Sequence, residues 1–242
     1  MSNKKVVMSN TKNILIVGGS SGIGKAIVEQ LSQESVHLYL LSRSPQEFNA
    51  SNITASSQNV LQEDIADFLP DVLDGVVYCP GSIHLRPFHQ FKEQDFLDDL
   101  NVNLMGAVRT LQAALPRLKK AESPASVVLF STIAVQTGMP YHASVASAKG
   151  AVEGLTRSLA AEWAPRIRVN AIAPSLTDTP MSAQLLSNEK KQQASAERHP
   201  LKRYGKPEDI AEMAAFLLSD KASWISGQII HIDGGLSSLK PL

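Results

Sequence analysis

The run Asn13-Ile-Leu-Ile-Val17-Gly18-Gly19-Ser20-Ser21-Gly22-Ile23-Gly24 decides the fold. A mostly apolar stretch of strand length leads straight into a glycine-rich turn, and helical spacing runs from Gly24 to Gln33. Glycines permit a tight turn and let a pyrophosphate approach the backbone with no Cβ in the way. They also expose the first N–H groups of the helix, whose dipole favours anions. Alone, such a triplet marks only a turn. Between a first strand and a first helix it makes Gly18, Ser20, Ser21, Gly22, Ile23 and Gly24 candidate contacts for a dinucleotide.

The same alternation continues outward. Val36 to Leu41, Gly75 to Tyr78, Ser126 to Phe130, Arg168 to Ala173 and Gln228 to Ile232 read as strands. Gln94 to Lys119, Ala146 to Trp163 and Pro207 to Leu218 carry helical spacing, with Ala151, Val152, Leu155, Leu159 and Trp163 on one face. Alternating strands and helices predict an α/β fold: a Rossmann-type, doubly wound parallel sheet of about seven strands with helices on both faces. No repeat or linker divides the chain, so residues 1–242 are expected to form one domain. Ser44 to Gln62 reads as loop with one weak strand near Val60, and Ser187 to Lys206 as a flap or a surface helix.

Charge and cysteine content exclude whole classes of function. Of 242 residues, 23 are Lys or Arg and 23 are Asp or Glu, which leaves no net field to hold nucleic acid or an anionic membrane. The single cysteine, Cys79, forms no intrachain disulfide and no thiolate cluster, so no metal is expected and the cytoplasm is the expected compartment. Met1 to Lys12 is polar and unlike a secretory leader, and no window is apolar enough to span a membrane.

The end of the second strand bears on which dinucleotide. A carboxylate for the ribose is expected there, yet the residues are Leu41-Ser42-Arg43-Ser44. Ser42 and Arg43 suit a 2′-phosphate through charge-assisted hydrogen bonds, so NADP(H) is favoured over NAD(H); the alternative is a solvated surface arginine.

Taken together, these motifs resemble the short-chain dehydrogenase/reductase family over nearly the whole chain. The glycine turn is Gly18, Gly22 and Gly24, and Asp64-Ile65 is similar to the adenine-contacting pair. Asn103-Leu104 resembles the helix asparagine. Gly81 closes the fourth strand's motif as Tyr78-Cys79-Pro80-Gly81, where the family reads Asn-Asn-Ala-Gly. Pro174 and Thr179 are similar to the nicotinamide-side loop, and Gly227 through Asp233-Gly234-Gly235 to the C-terminal signature. The resemblance implies a nicotinamide-dependent oxidoreductase acting on a small carbonyl or alcohol, with a homo-oligomeric assembly, dimer or tetramer. Small residues at Ala151, Gly154, Ser158 and Ala161 suit such helix packing or packing within one subunit.

The resemblance also assigns roles. Lys149 is the lysine that lowers the pKa of a catalytic tyrosine and holds the ribose, and Asn103 supports it. The carbonyl-polarising hydroxyl falls on Thr132 beside Ser131. The tyrosine itself falls on Val145, which has no proton to give. Tyr141 and His142, in the loop entering the Lys149 helix, are the candidate replacements. Parts of that helix and Ala222-Ser-Trp-Ile225 are similar to the enoyl- and dienoyl-thioester reductase branch, so C=C reduction is one alternative and a catalytically inactive nucleotide-binding protein the other. His84, Arg86 and His89 either touch an acidic substrate or are surface charges.

Overall fold

The structure is a computed structural model that describes residues 11–44, 48 and 50–240. Most of the polar start, residues 1–10, and part of the Ser44 to Gln62 loop, residues 45–47 and 49, lie outside the described residues.

Seven strands form one sheet: β1 (Lys12–Val17), β2 (Val36–Ser42), β3 (Ile53–Ser57), β4 (Gly75–Tyr78), β5 (Ala125–Phe130), β6 (Ile167–Pro174) and β7 (Ile229–Ile232). Their order is β3-β2-β1-β4-β5-β6-β7, and every pairing is parallel. Val17 lies opposite Leu41 on one side and Tyr78 on the other, so the chain's direction of winding reverses at the end of β1. A crevice opens at such a switch point, beyond the carboxyl ends of the strands.

Parallel strands covered on both faces must be apolar on both, and β1 shows it. Leu15 and Val17 face a core shared with Leu111, Leu118, Val152 and Trp163 of α3 (Gly106–Leu118) and α5 (Ala143–Trp163). Ile14 and Ile16 face the opposite core, with Ile27 and Leu31 of α1 (Gly22–Leu31) and Ile210 and Leu217 of α7 (Pro207–Leu218). Each such buried side chain contributes about 1.5–3 kcal/mol.

Two segments differ from the sequence expectation, and a third takes one of its two alternatives. The weak strand is β3, which ends at Ser57 and not near Val60. The predicted helix Gln94 to Lys119 is α2 (Glu93–Leu100) and α3, joined by a π-helical segment, Asn101–Met105, which contains Asn103. Such widened turns recur at functional sites. Ser187 to Lys206 contains a surface helix, α6 (Glu189–Arg198), capped by Asn188 Oδ1, which accepts from the Lys191 amide. The remaining helix, α4 (Ala134–Thr137), is a single turn. Among the described residues no helix is long and apolar enough to cross a membrane.

Candidate active site

A cavity of about 490 Å³ fills the crevice. Gly18, Ser20, Ser21, Gly22, Ile23 and Gly24 line one wall, Ser42 and Arg43 one end, and Gly81 and Thr179 the other. The turn is closed so tightly that a Cβ on Gly24 would lie 2.2 Å from the Gly18 carbonyl oxygen, and Gly18 has φ +83°. Arg43 is the one charged residue lining the cavity among the described residues. Gln58 lines the same region, and its Oε1 is buried without a hydrogen-bond partner. A glycine cradle at a helix start, with a guanidinium and a buried acceptor that have no partner among the described residues, fits a phosphorylated dinucleotide.

Not every expected contact reaches the cavity. Asp64 is exposed, its Oδ1 accepting from the Ala66 amide, and Ile65 is buried in the core. Asn59, Val60 and Leu61 line the cavity in their stead because they follow β3 directly. Asn59-Val60 was the missed signal, hidden by placing the strand too late. Pro174 ends β6, outside the lining, where its carbonyl accepts from the Ile133 amide.

At the Gly81 end stands Lys149, 8% exposed, with Nζ donating to the Phe130 carbonyl at 2.9 Å. A Cβ on Gly81 would lie 3.2 Å from Asn103 Oδ1 and 3.6 Å from Lys149 Nζ, so this end of the cavity runs close beside both side chains. Burial pushes the lysine down to about 8, against the opposing pull of Cys79 and Asp99. Burial pushes the Cys79 thiol up to about 12, so at neutral pH the thiol is uncharged. Asn103 Nδ2 donates to the Asp99 carbonyl at 2.8 Å and to Ser82 Oγ at 2.9 Å.

The two hydroxyls separate. Ser131 Oγ donates to Glu153 Oε1 at 2.8 Å and both are buried, whereas Thr132 is half-buried and only accepts from the Ala134 amide at 3.3 Å. Val145 is 4% exposed. Tyr141 sits at φ +71° and is 59% exposed, and His142 Nδ1 is tied to the Pro140 carbonyl at 2.7 Å; neither bonds to Lys149. Among the described residues no group of three or more His, Cys, Asp or Glu is placed to hold a metal ion.

A family model described as Enoyl-(Acyl carrier protein) reductase matches residues 55–237. The chain belongs to the short-chain dehydrogenase/reductase family of NAD(P)-dependent oxidoreductases. A 3-oxoacyl-(acyl-carrier-protein) reductase of Staphylococcus aureus is 35% identical over 247 residues, spanning 95% of this chain and 99% of its own. A tropinone reductase homolog of Arabidopsis thaliana is 33% identical over 243 residues, spanning 93% of this chain and 92% of its own. Among solved structures, a short chain dehydrogenase family protein from Francisella tularensis superposes with a TM-score of 0.87 at 26% identity, over 95% of this chain and 100% of that one. ElxO with NADP bound superposes with a TM-score of 0.87 at 28% identity, over the same shares.

Proposed function

We propose that this member of the family is an NADP(H)-dependent reductase of small carbonyl compounds whose proton donor is not the residue at position 145. One observation carries the reading. The cavity runs from the glycine turn and Arg43, its one charged lining residue among those described, to Gly81 beside the buried Lys149. A 2′-phosphate matches Arg43, and among the described residues no lining carboxylate opposes it. The NADP bound to ElxO is consistent with this choice.

The bound dinucleotide supplies hydride transfer. Gly18 to Gly24 bind the pyrophosphate, Lys149 holds the nicotinamide ribose, and the Thr132 hydroxyl polarises the substrate carbonyl. Asn103 keeps the wall next to Lys149 in place. The chain is read as one domain over residues 1–242, associating through the outward face of α5, where Gly154, Ser158 and Ala161 are exposed.

Two other readings have support. The description of the matching family model favours reduction of a conjugated C=C in a thioester. Val145 favours a protein that binds the nucleotide without turnover. NADPH oxidation against ketones, aldehydes, quinones and enoyl thioesters separates them, with Lys149→Ala as the control and NADPH binding measured independently. Turnover of carbonyls lost in the control supports the proposal; turnover of enoyl thioesters alone moves the reaction to C=C; binding without any turnover overturns the reductase reading.

A further inference from the structure

The one buried residue of α2 is an acid, Asp99, with no exposed surface. Its Oδ1 accepts from Ser82 Oγ at 2.5 Å and from His84 Nδ1 at 3.0 Å, and its Oδ2 accepts from Ser144 Oγ at 2.6 Å. Burying a carboxylate is costly unless it is hydrogen-bonded and paired, and an apolar residue would serve packing better. One of these partners, Ser82, lies in the site, and His84 follows it by two residues in the same loop. Ser82 lines the cavity next to Gly81 and receives the Asn103 amide, and Ser144 immediately precedes Val145. The His84 side chain is 41% exposed. With Nδ1–H held by the carboxylate, Nε2 is the nitrogen left to exchange protons, and it has no hydrogen-bond partner among the described residues.

We propose that His84, oriented by Asp99, is the proton donor and acceptor that works in place of a tyrosine at position 145. The inference rests on the reductase reading above and names the group that reading leaves open. In the reductive direction the substrate carbon accepts hydride from the reduced nicotinamide, which leaves oxidised. The carbonyl π pair forms the new O–H bond with the proton of Nε2–H. The N–H bond breaks, its electron pair stays on the ring as neutral imidazole, and Nε2 regains a proton from solvent. Asp99 is a positioning residue: it fixes the tautomer and balances the imidazolium. Among the described residues neither Tyr141 nor His142 hydrogen-bonds to a carboxylate, and His142 Nδ1 meets the Pro140 carbonyl instead.

α2 carries four acids, Glu93, Asp95, Asp98 and Asp99, and Arg86 and His89 share the loop of His84. Arg86 is engaged with Asp95 at 3.4 Å. Asp99 is thus the partner that touches the ring.

The test uses the full chain with NADPH and the substrate that the panel identifies. His84→Gln is expected to lower kcat about 10²- to 10³-fold while NADPH affinity is unchanged. It is also expected to abolish the fall in reductive turnover that the wild type shows once the imidazolium is deprotonated. Free imidazole restores part of the turnover of His84→Gly, and His89→Asn turns over like the wild type. Independently of activity, ¹⁵N spectra of labelled histidine show neutral His84 protonated on Nδ1, and Asp99→Asn shifts the ring towards the Nε2–H tautomer. If Asp99→Asn does not fold, the His84 variants decide alone. Wild-type kcat and pH profile in His84→Gln overturn the dyad and leave the reductase reading standing. A wild type that oxidises NADPH with no substrate class overturns that reading and the dyad's role with it.

Discussion

Lys149 Nζ donates to the Phe130 carbonyl at 2.9 Å, and that single bond is the only hydrogen bond the ammonium makes among the described residues. The cofactor-free protein therefore holds a lysine that burial has pushed from 10.5 to about 8. Between those two values the unfolded chain binds the proton more fully than the folded one, so wild-type stability rises with pH through that window. The shift corresponds to about 3 kcal/mol. Lys149→Met is expected to melt above the wild type at pH 7, with the gap closing as the pH approaches 10.5. Thermal denaturation across this range without cofactor checks it; a variant that melts below the wild type at pH 7 contradicts the account.

The proposed preference for NADPH rests on one side chain, Arg43, with no lining carboxylate beside it among the described residues. Hydrogen bonds to charged groups contribute about 1.5–3 kcal/mol each, which is about ten- to hundredfold in affinity. Arg43→Ala is expected to weaken NADPH by that factor and to leave NADH almost unchanged. Fluorescence titration with both cofactors reads the difference directly, and equal losses would remove the phosphate role.

The neighbouring hydroxyls at Ser131 and Thr132 are bonded differently. Ser131 is spent on the buried Glu153, which also meets Arg157 Nη2 at 3.3 Å. Ser131→Ala leaves that carboxylate one donor short and should cost about 1–3 kcal/mol of stability with kcat intact. Thr132→Val keeps the shape and removes the free hydroxyl, and should lower kcat about 10²-fold with the melting temperature held. Paired melting curves and steady-state kinetics separate the two; the reverse pattern would exchange the assignments.

Periodicity made the scaffold legible. Gly75 to Tyr78 and Pro207 to Leu218 are found with the expected boundaries because a buried parallel strand and an amphipathic helix leave plain patterns. The Asp99 site was not legible, and the reason is visible in α2. Asp98 and Asp99 are adjacent acids, and nothing in residue type says which is inside. The usual hydrophobic rule points the wrong way, since Leu97 is 48% exposed while Asp99 is fully buried. The π segment at Asn103 was equally hidden, because a helix that widens by one residue keeps an ordinary composition.

Gly24 and Gly154 provide the last contrast. A Cβ at Gly24 would collide with the Gly18 carbonyl at 2.2 Å, so Gly24→Ala must open the turn and is expected to lose dinucleotide binding at least tenfold. A Cβ at Gly154 would meet nothing within 4 Å, so a larger side chain there fits the folded chain without strain. If this face of α5 packs against a second copy, Gly154→Leu pushes the two helices apart. The expected result is a wild type that elutes as a dimer or tetramer and a Gly154→Leu variant that elutes smaller with an unchanged far-ultraviolet spectrum. Scattering measured on the eluting peaks decides it: an unchanged mass for the variant would move the interface away from this face.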